Sequence, residues 1–238
     1  MEITTAMNKI LYDNSNRLAE MIQAHPNLLL MITHFNIPLG FGDKTVAEVC
    51  YDNGIDLNFF LLICNVYAFD NYVPTAGDLQ TADMGALVPY LESSHRYYLE
   101  RRLPHIEHHI DRIAQLLPSK RVQEVFMKFF KAYCDEIKTH FLEEEQHVFP
   151  LIQLHLQGQK KTGWHESKQY AMSHVTLLEQ LDDLTQIIFK YLPDNVSRED
   201  SVDVVFDILQ LSQDLKKHNV IEEKILIPYV DMITKRLK

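Results

Sequence analysis

Cysteine is scarce in this chain: Cys50, Cys64 and Cys134 are its only thiols in 238 residues. They form no C-x-x-C or zinc-ribbon spacing, and an odd count argues against a disulfide framework. Free thiols fit a reducing compartment, so a cytoplasmic protein is expected. Glycine (7) and proline (9) are also sparse, and no alternation of apolar and polar residues persists. Without that period, sheet architectures are excluded and an all-α protein is expected. Long apolar runs are missing too. The longest, Phe59 to Cys64, is far too short to cross a bilayer. The first residues, Met1 to Asp13, carry acidic and polar side chains and no apolar core, so no signal peptide is visible. Positive charge is in deficit, with 23 Lys and Arg against 33 Asp and Glu, a net charge of -10. Binding to phosphates needs the opposite balance, so neither nucleic acid nor an anionic membrane is an expected partner.

Histidine, by contrast, is plentiful at 12 residues. Two segments read H-x-x-x-E: His140-Phe-Leu-Glu-Glu144 and His218-Asn-Val-Ile-Glu222. On a helix, residues i and i+4 lie one above the other, so each pair can grip one metal site. His95 and His174 complete a symmetric set. The midpoint of 95 and 140 falls at Leu117-Pro118-Ser119, that of 142 and 174 at Gly158, and that of 174 and 218 at Val196. All three are turn-like sequence. Folding the chain back at those points brings the six residues to one level of an antiparallel four-helix bundle.

Upstream, residues 1–75 read as a small helical domain. Thr4 to Ala24 is expected as one helix, Pro26 as the start of the next, and Thr45 to Cys50 as another, ending near Asn53-Gly54. Asn36 to Gly42 reads as a loop. Asp70 to Asp78 reads as a linker, with Pro74 and Gly77 among polar residues. The bundle then occupies 80–238. Its helices are expected near 83–116, 119–156, 163–192 and from 198 almost to the end, with Ser119 and Ser197 as N-caps. Pro104 should kink the first helix. Pro150 and Pro228 each follow a ligand-pair glutamate by the same offset and should bend or end their helices. The segments around them echo one another, H-F-L-E-E-E-Q-H-V-F-P against H-N-V-I-E-E-K-I-L-I-P.

Apolar residues flank the six at helical spacing: Phe126, Phe130, Ile137 and Leu151; Leu177, Leu181 and Leu184; Leu211, Leu215 and Ile225. The six therefore point inward, where a bare carboxylate costs several kcal/mol (order of magnitude) unless a cation neutralises it. Two metals about 3.5 Å apart, each with two imidazoles and both carboxylates bridging, use the whole set. Imidazole and carboxylate without thiolate suit iron or manganese, with zinc a competitor. An oxo or hydroxo bridge would balance the remaining charge of an iron pair. No pair of E-x-x-H motifs and no H-E-x-x-H motif is present. His109 lies two heptads from His95, roughly 21 Å along the axis, too far to join. With His105 and His108 it is read as a polar end of the bundle, a secondary cation site being the alternative. His147 is read either as a partner of a ligand or as a surface residue. Tyr98, Tyr133 and Tyr170 share the ligand faces; their hydroxyls are candidates to orient ligands, Tyr133 being read as core filler.

The segments His95 to Pro104, His140 to Pro150, Met172-Ser-His174 and His218 to Pro228 resemble the hemerythrin-like di-iron family, and most closely the bacterial repair-of-iron-centres proteins. The resemblance implies that His95, His140, Glu144, His174, His218 and Glu222 hold two iron ions. It implies small oxidants (O2, nitric oxide or peroxide) and iron–sulfur proteins as partners, with iron donation to damaged centres and a response to nitrosative or oxidative stress. An oxygen-binding or redox-sensing protein is the alternative it leaves open. Oxygen-carrying hemerythrins add a second histidine one turn away on the third helix; here Leu178 and Tyr170 stand at those spacings. The N-terminal part resembles the small helical domain of the same branch through His25-Pro26 and Thr45 to Asp56. That domain usually carries a Cys-Cys pair in its loop. Here the loop reads Pro38-Leu-Gly-Phe-Gly42. A role in interaction, homodimerisation included, is then expected of it rather than thiol chemistry.

Overall fold

A computed structural model describes residues 11–157, 167–192 and 196–236. All their regular structure is helical, and the chain divides into two compact units, Met1–Met84 and Gly85–Lys238.

The first unit holds α1 (Leu18–Ala24), α2 (Leu28–His34), α3 (Val46–Asn53), α4 (Leu57–Ala68) and α5 (Ala76–Thr81). α4 is its centre, burying Phe59, Phe60, Leu62, Ile63, Cys64, Val66 and Tyr67 against α2, α3 and α5. Its one interior amide, Asn65, is satisfied by the backbone of Tyr12, with 3.0 Å from Tyr12 N to Oδ1 and 3.3 Å from Nδ2 to Tyr12 O. α3 opens on a capping box between Thr45 and Glu48 and ends at Gly54, whose φ of 65° is the left-handed conformation that glycine adopts without strain.

Two expectations for this unit need correction. Thr4 to Ala24 is not one continuous helix: among the described residues the first helix starts at Leu18. The Asp13 carboxylate accepts from Ser15 N and Oγ, and Asn16 Oδ1 accepts from Asp13 N, so these side chains hold the backbone in a turn instead of a helix; residues 1–10 lie outside the described residues. The stretch read as a linker also contains α5, because Thr75 and Asp78 form a second capping box. Burial pushes the thiol of Cys50 up to about 12 and that of Cys64 higher still, so both behave as packing atoms.

The second unit is an antiparallel four-helix bundle. Its first helix is α6 (Leu87–Tyr97) continued by α7 (Leu103–Ala114), and its second is α8 (Lys120–Glu143) continued by α9 (Phe149–Leu156). The third is α10 (Ser167–Tyr191), and the fourth is α11 (Arg198–Ile221) continued by α12 (Ile227–Arg236). α7 packs on α8 and α11, and α10 on α8 and α11, closing a ring. Ser119 and Ser197 cap α8 and α11 as expected, accepting from Val122 N at 3.4 Å and Asp200 N at 3.0 Å. The turn at 117–119 and the bend at Val196 fall where the midpoints put them; Gly158 lies outside the described residues.

None of the three prolines ends its helix. Each comes just after a five-residue π-turn: Tyr98–Arg102 before Pro104, Glu144–Val148 before Pro150, and Glu222–Leu226 before Pro228. The N–H groups of Leu103, Phe149 and Ile227 reach back to the carbonyls of Tyr98, Glu144 and Glu222. A proline next in line has no N–H to place, and the widened turn spares its ring the clash that a straight helix imposes. The extra residue also rotates the remainder of the helix. Counting helical turns from Tyr98 leads to Arg102, His105 and His109, yet the buried residues are Leu103, Ile106 and Ile110. From Glu144 the same count leads to Val148 and Leu151, yet Phe149 and Ile152 are buried. Leu151, expected in the core, is therefore only partly buried. Val230 likewise takes the place of Tyr229.

Candidate metal centre

His95 sits in the last turn of α6, His140 in that of α8 and His218 in that of α11, while Glu144 and Glu222 each open a π-turn. His174 comes from α10. All six side chains are buried, from 0% exposed for His95 to 7% for His140. Each carboxylate divides its oxygens between two imidazole pairs. Glu144 Oε2 lies 3.1 Å from His95 Nε2, while its Oε1 lies 2.8 Å from His140 Nε2 and 3.6 Å from His174 Nε2. Glu222 Oε1 lies 3.2 Å from His218 Nε2, and its Oε2 3.1 Å from His174 Nε2. The Nε2 atoms of His95 and His218 are 3.2 Å apart. The donors thus form two overlapping groups, His95, Glu144, His218 and Glu222, and His140, Glu144 and His174.

Hydrogen bonds behind the imidazoles set their orientation. Ser94 Oγ donates to Leu91 O at 2.7 Å, so it accepts from His218 Nδ1 at 2.9 Å. The Glu145 carboxylate, an acceptor only, holds His95 Nδ1 at 2.9 Å. In both rings the outer nitrogen carries the proton and Nε2 faces the centre, the arrangement that metal-binding histidines adopt. Phe141 stacks on His95 with centroids 4.0 Å apart and Phe149 packs near it at 5.6 Å, so apolar rings lie against this imidazole. The Tyr98 ring meets His218 edge to face with centroids 5.8 Å apart, and burial, helped by the charge of the buried Asp214 one turn before His218, raises the pKa of the Tyr98 phenol.

Charge in this pocket is distributed unevenly. Burial opposes a charged His95, but the carboxylates of Glu144 and Glu145 outweigh it and hold the imidazole up at about 9. His174 is held at about 10, Glu144 and Glu222 prevailing over burial. Burial wins at His218, whose pKa is lowered. Glu222 is held at about 2 despite burial and the charge of Glu144, through His218 and His174. Glu144 is also held low by His140, His174 and His95 against its burial. Two protons on imidazoles therefore balance two buried carboxylates when no cation is bound.

The residues fit a metal cation. None of the four carboxylate oxygens accepts a well-formed hydrogen bond, although all are buried. Imidazole Nε2 atoms lie 2.8–3.6 Å from them, so nitrogen and oxygen donors are gathered around positions a cation can take. Four nitrogens and four carboxylate oxygens, with no sulfur, make a borderline-hard donor set.

The other candidates part company here. Tyr133 is buried in the bundle core, away from the centre, and the Tyr170 side chain lies outside what the structure describes. His147 is exposed. Glu145 and Ser94 support the centre, and spacing alone does not single them out. The one available signal is the doubled glutamate, Glu144-Glu145 and Glu222-Glu223, in the two echoing segments; Glu223 Oε1 comes within 3.8 Å of His174 Nδ1.

No helix among the described residues is long and apolar enough to cross a membrane. No curated protein matches the chain. The Hemerythrin HHE cation binding domain family matches residues 87–230, the bundle from the start of α6 into α12. That match spans more than half of the chain and every residue of the buried cluster, so the chain belongs to the hemerythrin HHE family and binds a metal cation in its bundle.

Proposed function

We propose that His95, His140, Glu144, His174, His218 and Glu222 hold two iron ions, manganese or zinc being able to substitute, and that this cytoplasmic protein reacts with nitric oxide or peroxide and returns iron to damaged iron–sulfur centres. The division at 1–75 and 80–238 belongs to the same reading, with the bundle carrying the chemistry and the N-terminal domain serving association, as in a homodimer. The observation that carries it is the sharing of each carboxylate between two imidazole pairs, His95 with His218 and His140 with His174. Among the described residues, neither pair has a third histidine.

When bound, the iron pair supplies electrons and open coordination positions for a small oxidant. The protein does the rest. Glu145 and Ser94 hold two imidazoles with Nε2 inward, and Phe141 and Phe149 pack apolar rings against His95. The absence of thiolate leaves metal exchange within reach, since imidazole and carboxylate release iron more readily than sulfur does. The sensor reading, in which oxygen or redox state changes how the N-terminal domain docks, predicts a conformational response without turnover.

Reduced protein mixed with nitric oxide or peroxide, with a reductant present to restore the irons, should turn over. Mixed with an iron-depleted cluster protein, it should transfer iron. Both activities should fall at least about tenfold in His140→Ala, which removes a direct ligand. Reversible oxygen binding with neither activity overturns the repair reading. A chain starting at residue 80 should keep the optical spectrum of the iron pair and change its association state. Loss of the spectrum would mean that the N-terminal domain completes the centre.

A further inference from the structure

The π-turn Tyr98–Arg102 turns Arg102, His105 and His109 off the core face of α7, and there they meet Asp207 of α11. Asp207 Oδ2 lies 3.1 Å from His105 Nε2 and 3.8 Å from His109 Nε2, and the two rings stand edge to face with centroids 4.9 Å apart. The other carboxylate oxygen is occupied: Arg102 Nη2 donates to Asp207 Oδ1 at 3.3 Å, to Asp207 O at 3.2 Å and to Gln210 Oε1 at 3.2 Å. Arg102 thus anchors Asp207 with one oxygen left facing the histidines. We infer that His105, His109 and Asp207 form a second, mononuclear site for a divalent transition metal of the zinc class, separate from the buried centre.

Three features support it. With metal–ligand bonds of about 2.0–2.1 Å, tetrahedral donors stand about 3.3–3.4 Å apart. The two nitrogen–oxygen distances, 3.1 Å and 3.8 Å, bracket that value, and all three donor atoms lie within 4.8 Å of one another. Histidines four residues apart on one helix project side by side, so α7 supplies two ligands without distortion. Exposure is graded: His109 and Asp207 are 12% exposed at the side chain, while His105 is 55% exposed, which leaves an entry path and a fourth position for water. The ligand type sets the class of metal. Calcium and magnesium want several oxygens and would gain nothing from two imidazoles beside an arginine, whereas zinc, copper and nickel favour imidazole. Along α11 the site lies roughly 16 Å from His218, by the helical rise over the intervening residues. A metal there would fasten the first helix of the bundle to the fourth and leave the buried centre untouched.

The test uses the full chain with its buried centre first loaded with ferrous iron, then titrated with zinc against a chromophoric chelator. One equivalent of zinc should bind beyond the iron. His105→Ala and His109→Ala should lose that equivalent with iron content unchanged. His108→Ala, on the same helix end but outside the cluster, should keep it. Because His105 is largely exposed, its replacement leaves the fold intact, and circular dichroism checks this for both variants. Zinc uptake equal in the wild type and His105→Ala, or uptake seen only as displaced iron, overturns the site. The outcome does not depend on the function proposed for the buried centre, since the comparison is between variants that leave all six of its residues in place.

Discussion

Chelating the metal out of this protein should lower its melting temperature by roughly 8–16 °C. A ligand present at about a thousand times its Kd stabilises the native state by about 4 kcal/mol. In a domain of this size each kcal/mol moves Tm by about 2–4 °C. The effect is expected to be this large because Glu144 and Glu222 are buried with no hydrogen bond to spare and depend on positive charge in the pocket. Glu144→Gln tests the origin of the shift. An amide cannot bridge two imidazole pairs as an anion, so the variant should hold little metal, and its melting temperature should ignore the chelator. Superimposable melting curves for metal-loaded and stripped wild-type protein would sink the buried-centre reading. A chelator shift that survives in Glu144→Gln would place the stabilising metal elsewhere.

Above about pH 6.5, raising the pH should weaken the stripped protein and strengthen the hold on metal. In the stripped protein His95 and His174 are held at about 9 and 10, above the ordinary histidine value of 6.5. Their stabilising contribution is fully present below about pH 6.5 and is lost as pH rises through 9 to 10. Glu144 and Glu222 are held below their ordinary 4.5, Glu222 at about 2. Their contribution is present above about pH 4.5 and is lost as pH falls toward the lowered values. The stripped centre is therefore most stabilising between about pH 4.5 and 6.5. Metals must displace the two imidazole protons, so loading should release about two protons near neutral pH. The overall binding constant should then rise roughly a hundredfold per pH unit. Calorimetry in buffers of different ionisation enthalpy counts those protons. No proton release would mean that His95 and His174 are neutral before metal arrives.

Much of the centre is legible from spacing, because a helix repeats and a bundle folds back on itself. His140 with Glu144 and His218 with Glu222 need only the i, i+4 rule, and His95 and His174 only equal helix lengths about a turn. Ser94 and Glu145 cannot be found that way. Ser94 reaches a histidine 124 residues away and Glu145 one 50 residues away, and no period links such partners. The N-terminal helices are half legible. The Thr45 and Thr75 capping boxes are both local, but the second is hidden, since Pro74 and Gly77 point to a linker. The prolines mislead for a physical reason: in a straight helix they must bend or end it, and nothing nearby announces a π-turn instead. The same straight-helix assumption puts Leu151 in the core.

The π-turns also decide which changes in chain length this bundle can survive. Among the described residues, three of its four helices carry one residue more than a straight helix needs, each at the level of the buried cluster. Deleting one residue between Tyr98 and Arg102 would look harmless, a helix shortened by a single step. It would in fact remove the surplus: Leu103, Ile106 and Ile110 would then stand four, seven and eleven residues after Tyr98 and keep the core face, whereas straightening the turn at full length would swing Arg102, His105 and His109 inward in their place. The same deletion between Glu144 and Val148 would leave Phe149 and Ile152 in the core, while straightening without it would exchange them for Val148 and Leu151. Each of these helices is thus written in two reading frames that meet at the cluster. A straight segment transplanted across that seam must be one residue shorter than the segment it replaces.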